Sequence, residues 1–191
     1  IYILFKRYAK ELLNQNSMST ITSLKSFMTN KKNNFSGFYS GEEIEEAFNG
    51  VAKRKGIKKV SDIKMPIVIP AVDVQDSKEY IFTNHIPEKT KNKNKYIKNI
   101  SVGKAIRASS SFPVAFSPCE YENHKFLDGG ILDNFPTTEV KKQGVDKVLT
   151  VNFMADEINE SSNIMDIVMR SIDIMGNKVS EDNVKNSDMV L

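Results

Sequence analysis

The sequence predicts one three-layer α/β domain, because helix-spaced and strand-like segments alternate along 191 residues, 40% of them hydrophobic. A chain of this length and apolar content forms one domain-sized core rather than several modules, so residues 1–191 read as a single domain. No internal repeat divides it.

The elements follow in order. Ile1, Leu4, Phe5, Tyr8 and Leu12 keep helical spacing from the first position, so the opening helix reaches about Asn14 and starts without a cap. Such a start is expected of a domain incomplete at its N-terminus. Polar stretches from Asn14 to Thr22 and from Lys31 to Asn34 read as breaks. Ser40, with Glu43 three residues on, forms a capping-box pattern that predicts a helix start. Ile44, Ala47, Phe48 and Val51 would form the inward stripe of that helix, and Gly56 suits its left-handed close.

Pro66 to Val74 and Glu79 to Thr83 read as two strands joined tightly through Gln75, Asp76, Ser77 and Lys78. Pro70 argues that the first lies at a sheet edge or holds a bulge, since proline cannot donate to the ladder. Lys89 to Lys98 is dense in lysine and asparagine and reads as a solvated loop. Ser101 caps a helix through about Ala108, with Val102, Ala105 and Ile106 inward, and Pro113 enforces its exit. Tyr121 to Leu127 reads as a strand or hairpin arm leading into Asp128-Gly129-Gly130. Asp146 to Phe153 is a buried-strand candidate, and Ile164, Ile167, Val168, Ile172 and Met175 mark a last amphipathic helix.

Composition narrows the function classes. Charged residues make up 27% but balance to +3, so no global field points to nucleic acid. The lysine-rich segment lacks the interleaved aromatics of a stacking surface, with only Tyr96 present, so no nucleic-acid partner is expected. The single cysteine, Cys119, cannot form an internal disulfide, which is compatible with a reducing compartment and leads us to expect a cytoplasmic protein. No apolar run approaches the roughly 18 residues of a membrane span, and no signal peptide is evident. No His-x-x-x-His or carboxylate cluster stands at ligand spacing, so neither a metal nor a cofactor is expected.

Ester hydrolysis needs a nucleophile, a base for its proton and donors for the oxyanion. Asp128 is the best base candidate: it follows a strand-like segment and precedes two glycines that leave a carboxylate little covered. Taken alone, Asp-Gly-Gly is more often a simple turn. The surroundings change that reading. Ile106-Arg107-Ala108-Ser109-Ser110-Ser111-Phe112-Pro113-Val114-Ala115-Phe116-Ser117-Pro118, followed by Phe126-Leu127-Asp128-Gly129-Gly130-Ile131-Leu132-Asp133-Asn134-Phe135-Pro136, resembles the patatin-like phospholipase family. The resemblance extends to residues 144–151 and back to residues 35–41.

The resemblance implies a patatin-like α/β/α fold and a lipid acyl hydrolase of phospholipase A or esterase type. Its catalysis would use a serine and aspartate dyad without histidine, with Asp128 as base and Gly129 and Gly130 forming its turn. Consistent with this, His85, just past a strand in a polar stretch, and His124, in a hairpin loop, are expected at the surface. The implied substrate is a lipid or other acyl ester, and the lysine-rich segment offers a peripheral contact with anionic headgroups.

The nucleophile elbow Gly-x-Ser-x-Gly and the Gly-rich oxyanion turn are missing from these residues. Gly37-Phe38-Tyr39-Ser40-Gly41 is a near miss with its serine one place late, and Ser109 to Ser111 match a different family segment. Ile1 to Leu13 resembles the family's second helix, which places the serine upstream, in a patatin-like domain truncated at its N-terminus. This chain alone is therefore expected to be inactive. A catalytically inactive module that binds lipid or a protein stays open as the alternative.

Overall fold

Strand and helix boundaries are set by where the apolar alternation meets capping and turn residues. The computed structural model describes residues 39–88, 90, 92–113, 115–152 and 164–191. The expected helix over Ile1 to Leu13, the breaks after it and the segment 35–38 lie outside the described residues.

Helix α1 spans Glu42–Arg54. Its N-cap is Gly41 in the left-handed conformation, φ 75°, and not Ser40 as the capping-box pattern suggested. Ser40 Oγ still accepts a hydrogen bond, from Glu42 N at 3.2 Å, but no capping box forms with Glu43. The close is as expected: Gly56, φ 72°, donates to the Lys53 carbonyl while Ile57 N donates to Ala52, the two bonds of a Schellman motif.

Strands β1 (Val68–Asp73) and β2 (Lys78–Thr83) form the expected hairpin. A short β3 (Tyr96–Ile97) runs parallel to β2. Helix α2 (Val102–Ser109) is capped by Ser101, whose Oγ accepts from Lys104 N at 3.2 Å. Strands β4 (Cys119–Tyr121) and β5 (His124–Asp128) make a second hairpin. Beyond it come a 3-10 turn at Gly129–Ile131, α3 (Thr137–Lys141), β6 (Leu149–Thr150), α4 (Ile164–Lys185) and β7 (Met189–Val190).

The five-stranded sheet has the order β3-β2-β1-β5-β4, so β1 lies at its centre. Pro70 is therefore inside a central strand, contrary to the edge expected of it. The ladder itself explains this. Val74 N donates to Lys125 O, and the two-residue alternation turns the Pro70 nitrogen toward the same neighbour, where pairing has already ended at Ala71 and Asp128. The missing donor has no partner to miss.

One face of this mixed sheet carries Ala71, Phe82, Cys119 and Phe126, which pack with Val60, Ile100 and the α2 residues Ala105 and Ala108. Phe82 and Phe126 meet edge to face at 5.1 Å, each fully buried and worth roughly 1.5–3 kcal/mol. The other face carries Glu79 and Tyr96, joined to Glu139 of α3. Helices thus cover both faces, as the α/β class requires.

The α1 stripe differs from expectation, since Phe48 and Val51 are exposed. A Cβ on Gly103 would sit 2.0 Å from the Glu45 carbonyl oxygen, so α2 approaches the α1 backbone directly and Asn49 Oδ1 caps Gly103 N at 2.9 Å. Polar residues go inward because that contact is between backbones. Arg107 and Glu45 tie the same two helices at 3.1 Å.

Asp146 to Phe153 yields a shorter strand than expected, β6, paired parallel with β7. Val148 and Thr150 are buried, but Leu149 is 56% and Val151 52% exposed, so only one side of this segment is covered; Phe153 lies outside the described residues. The last helix forms, yet Ile167, Val168 and Met175 face solvent and Gly176 and Ser180 are buried instead. The side chain of Ile164 is outside the description.

Candidate active site

Asp128 is the last residue of β5, where the paired strand gives way to the glycine turn. Its backbone N donates to the Ser111 carbonyl at 3.0 Å, which ties the turn to the α2 exit. The side chain folds over that turn, with Oδ1 accepting from Gly130 N at 2.8 Å. Among the described residues this is the only donor to the carboxylate, so the second oxygen stays available as an acceptor. Burial pushes the Asp128 carboxyl above the ordinary aspartate range, and the Gly130 hydrogen bond opposes part of that shift.

The two glycines have separate reasons. A Cβ on Gly129 would lie 2.6 Å from the Pro70 carbonyl oxygen and 2.8 Å from its ring, so the turn closes only without a side chain there. At Gly130 the neighbours are Asn134 Oδ1 at 3.0 Å and Asp128 Oδ1 at 3.1 Å, a tighter fit than a side chain ordinarily finds. Asp128, Gly129 and Gly130 are thus brought together, and their turn lies against α4.

The histidines divide. His85 is exposed, with Nδ1 3.0 Å from Gln143 Oε1. His124 departs from the expected surface loop: it belongs to β5, is half-buried, and its Nδ1 lies 2.5 Å from Asp73 Oδ2. Asp73 is 2% exposed and accepts further bonds from Gln75 N and Lys125 N, so imidazole and strand ends together satisfy a buried carboxylate. His124 also packs on Tyr80 and Phe126 at 4.6 and 5.3 Å. Alternation puts His124 and Asp128 on one face of β5, but four residues apart, about 13 Å along the strand. Starting the strand at His124 rather than Tyr121 would have revealed this placement from the Phe126 alternation.

A second ionised cluster was not legible at all. Lys95 Nζ bridges Glu79 at 3.0 Å and Glu139 at 2.8 Å, and Tyr96 OH donates to Glu139 at 2.8 Å. The lysine-rich segment is therefore only partly a solvated loop: Lys93 and Lys98 are exposed, whereas Lys95 and Tyr96 turn inward. Burial raises the Glu79 carboxyl and works against the bonds from Lys142, Lys95 and Tyr96 that hold Glu139 low. No group of three or more His, Cys, Asp or Glu side chains among the described residues is arranged to hold a metal ion.

A family model described as patatin-like phospholipase matches residues 3–141, which include the Asp128 turn and end with α3. Lysophospholipase NTE1 of Meyerozyma guilliermondii is 43% identical over 47 residues. That similarity covers 25% of this chain and 3% of the yeast protein, so the chain spans only a small part of that relative's length.

Proposed function

The chain belongs to the patatin-like phospholipase family, whose members are lipid hydrolases, and from that premise we propose that Asp128 is the general base of a serine and aspartate dyad. The reaction is cleavage of fatty acyl esters of phospholipids or related lipids. The single observation that supports this reading is the carboxylate itself: half-buried at a strand end, with Oδ1 held by Gly130 N and no donor to its other oxygen among the described residues.

The serine would come from a segment outside these 191 residues, since no Gly-x-Ser-x-Gly occurs within them. As its Oγ attacks the ester carbonyl carbon, its proton passes to Asp128, and the bond to the alcohol breaks as that proton is returned to the leaving oxygen. Water then attacks the acyl-enzyme, giving its proton to Asp128, which passes it back to serine as the fatty acid leaves. The upward shift of the carboxyl makes it a stronger base than an exposed aspartate.

Asp128→Asn keeps an oxygen for Gly130 N but cannot take the proton. In the full-length protein, kcat for acyl ester hydrolysis is expected to fall by roughly 10²- to 10⁴-fold with the fold intact. Retained activity rejects the assignment. A fluorophosphonate should label the full-length protein at the upstream serine and leave the 191-residue chain unlabelled.

The missing elbow motif equally favours a second reading, an inactive module that binds lipid or a protein partner. Absence of fluorophosphonate labelling in the full-length protein would decide for it. For peripheral membrane contact, Lys93 and Lys98 are the exposed lysines among the described residues of the lysine-rich segment, each contributing about 1 kcal/mol near an anionic surface. Liposome cosedimentation should then rise with phosphatidylserine content and fall in Lys93→Ala/Lys98→Ala; binding indifferent to both argues against that contact.

A further inference from the structure

Helix α4 presses on the turn that holds Asp128. Gly176, buried in the middle of the helix, has the Gly130 carbonyl directly opposite: a Cβ built there would lie 2.4 Å from the oxygen and 3.4 Å from the carbon. The neighbouring turns of α4 hold the following loop. Ser180 Oγ, fully buried, accepts from Asn134 N at 2.7 Å, and Asn177 Oδ1 accepts from Asn134 Nδ2 at 2.8 Å. Asn183 donates to Asp133 Oδ1 at 2.9 Å and accepts from Thr137 Oγ1 through its backbone oxygen at 2.6 Å. Residues 130–137 are therefore braced from one side at several points.

Resting on the assignment of Asp128 as base, we propose that Gly176 is a positioning residue for the reaction, acting through Gly130 on the carboxylate of Asp128. Gly130 is the shared part: its carbonyl meets α4 and its N–H holds Asp128 Oδ1. Glycine in mid-helix is unfavourable relative to alanine, so intrinsic helix stability does not account for this residue. Its small size lets α4 sit close enough to fix Gly130, and thus the direction in which Asp128 offers its free oxygen. Any side chain at 176 must push either the helix or Gly130 away, and a displaced Gly130 N–H no longer holds the carboxylate.

The test is the pH dependence of hydrolysis by the full-length protein in Gly176→Ala, Ser180→Ala and the control Gly50→Ala. Gly50 is also mid-helix but has nothing near its Cβ position. In Gly176→Ala, kcat should fall by roughly ten- to a hundredfold with KM little changed. Loss of the Gly130 bond removes an influence that lowers the Asp128 pKa, so the acid limb of the kcat profile should also move to higher pH. Ser180→Ala loosens the same loop without overpacking and should shift the limb in the same direction by less, which carries the test should Gly176→Ala fail to fold. Gly50→Ala should match the parent. An unmoved acid limb and unchanged kcat in folded Gly176→Ala, or an unmoved limb in Ser180→Ala where the former does not fold, overturns the positioning role. If Asp128→Asn is inactive in the same assay, the dyad survives that failure; if Asp128→Asn is active, the dyad falls first.

Discussion

Gly129 and Gly50 are chemically the same residue, and their neighbours alone separate their fates. Alanine at 129 would drive a methyl group into the Pro70 backbone, so Gly129→Ala should cost about 1–3 kcal/mol in urea unfolding. Alanine at 50 meets open space on α1 and should stabilise by up to about 1 kcal/mol. The same urea melts test both, and equal effects would show that local packing does not govern them. Asp128 adds a charge effect. Its pKa is raised by burial, so the folded protein holds that proton more tightly than the unfolded chain does. This contribution favours the fold at pH below the unfolded value and is lost as pH rises through the raised value, so the buried carboxyl opposes folding at neutral pH. Asp128→Asn should therefore raise Tm at pH 7 even as it lowers kcat, and the gain should shrink in acid; a lower Tm at pH 7 contradicts it.

Among the elements, the cluster around Glu139 is where sequence reading and structure differ most in consequence. Glu139 is 4% exposed and depends on Lys95, Lys142 and Tyr96. Lys95→Met would leave the carboxylates of Glu79 on β2 and Glu139 on α3 facing each other on one side of the sheet and should cost about 3–5 kcal/mol in urea unfolding at pH 7. The lowered pKa of Glu139 means its contribution is present above the unfolded value and lost as pH falls, so the gap between parent and variant should narrow in acid. The first hairpin, the Ser101 cap and the Gly56 close were readable because turn and capping residues act locally, whereas the second hairpin was read only as a strand or arm over Tyr121 to Leu127, through its actual turn. The inward faces of α1 and α4 were not. Apolar periodicity assumes that side chains make the contact, whereas Gly103 and Gly176 let backbones meet, so Asn49, Ser180 and Asn183 turn inward. Lys95 and Tyr96 were hidden for a related reason: a lysine-rich composition says nothing of which lysine finds a buried acid.

At the scale of the molecule, the sheet brings residues distant in sequence to one place: β1 supplies Pro70, β5 ends in Asp128, and α4 arrives some fifty residues later to close over Gly130. The Asp-Gly-Gly turn was legible from its motif, but the support given by α4 needed the three-dimensional fold. No helix among the described residues is long and apolar enough to cross a membrane. The pairing of β6 with β7 has its own effect on handling. Two parallel strands with Leu149, Val151, Met189, Val190 and Leu191 uncovered offer ready docking for a copy of themselves. The isolated 191-residue polypeptide should accordingly clump through strand addition, with light scattering that climbs with concentration and is suppressed by Leu149→Lys.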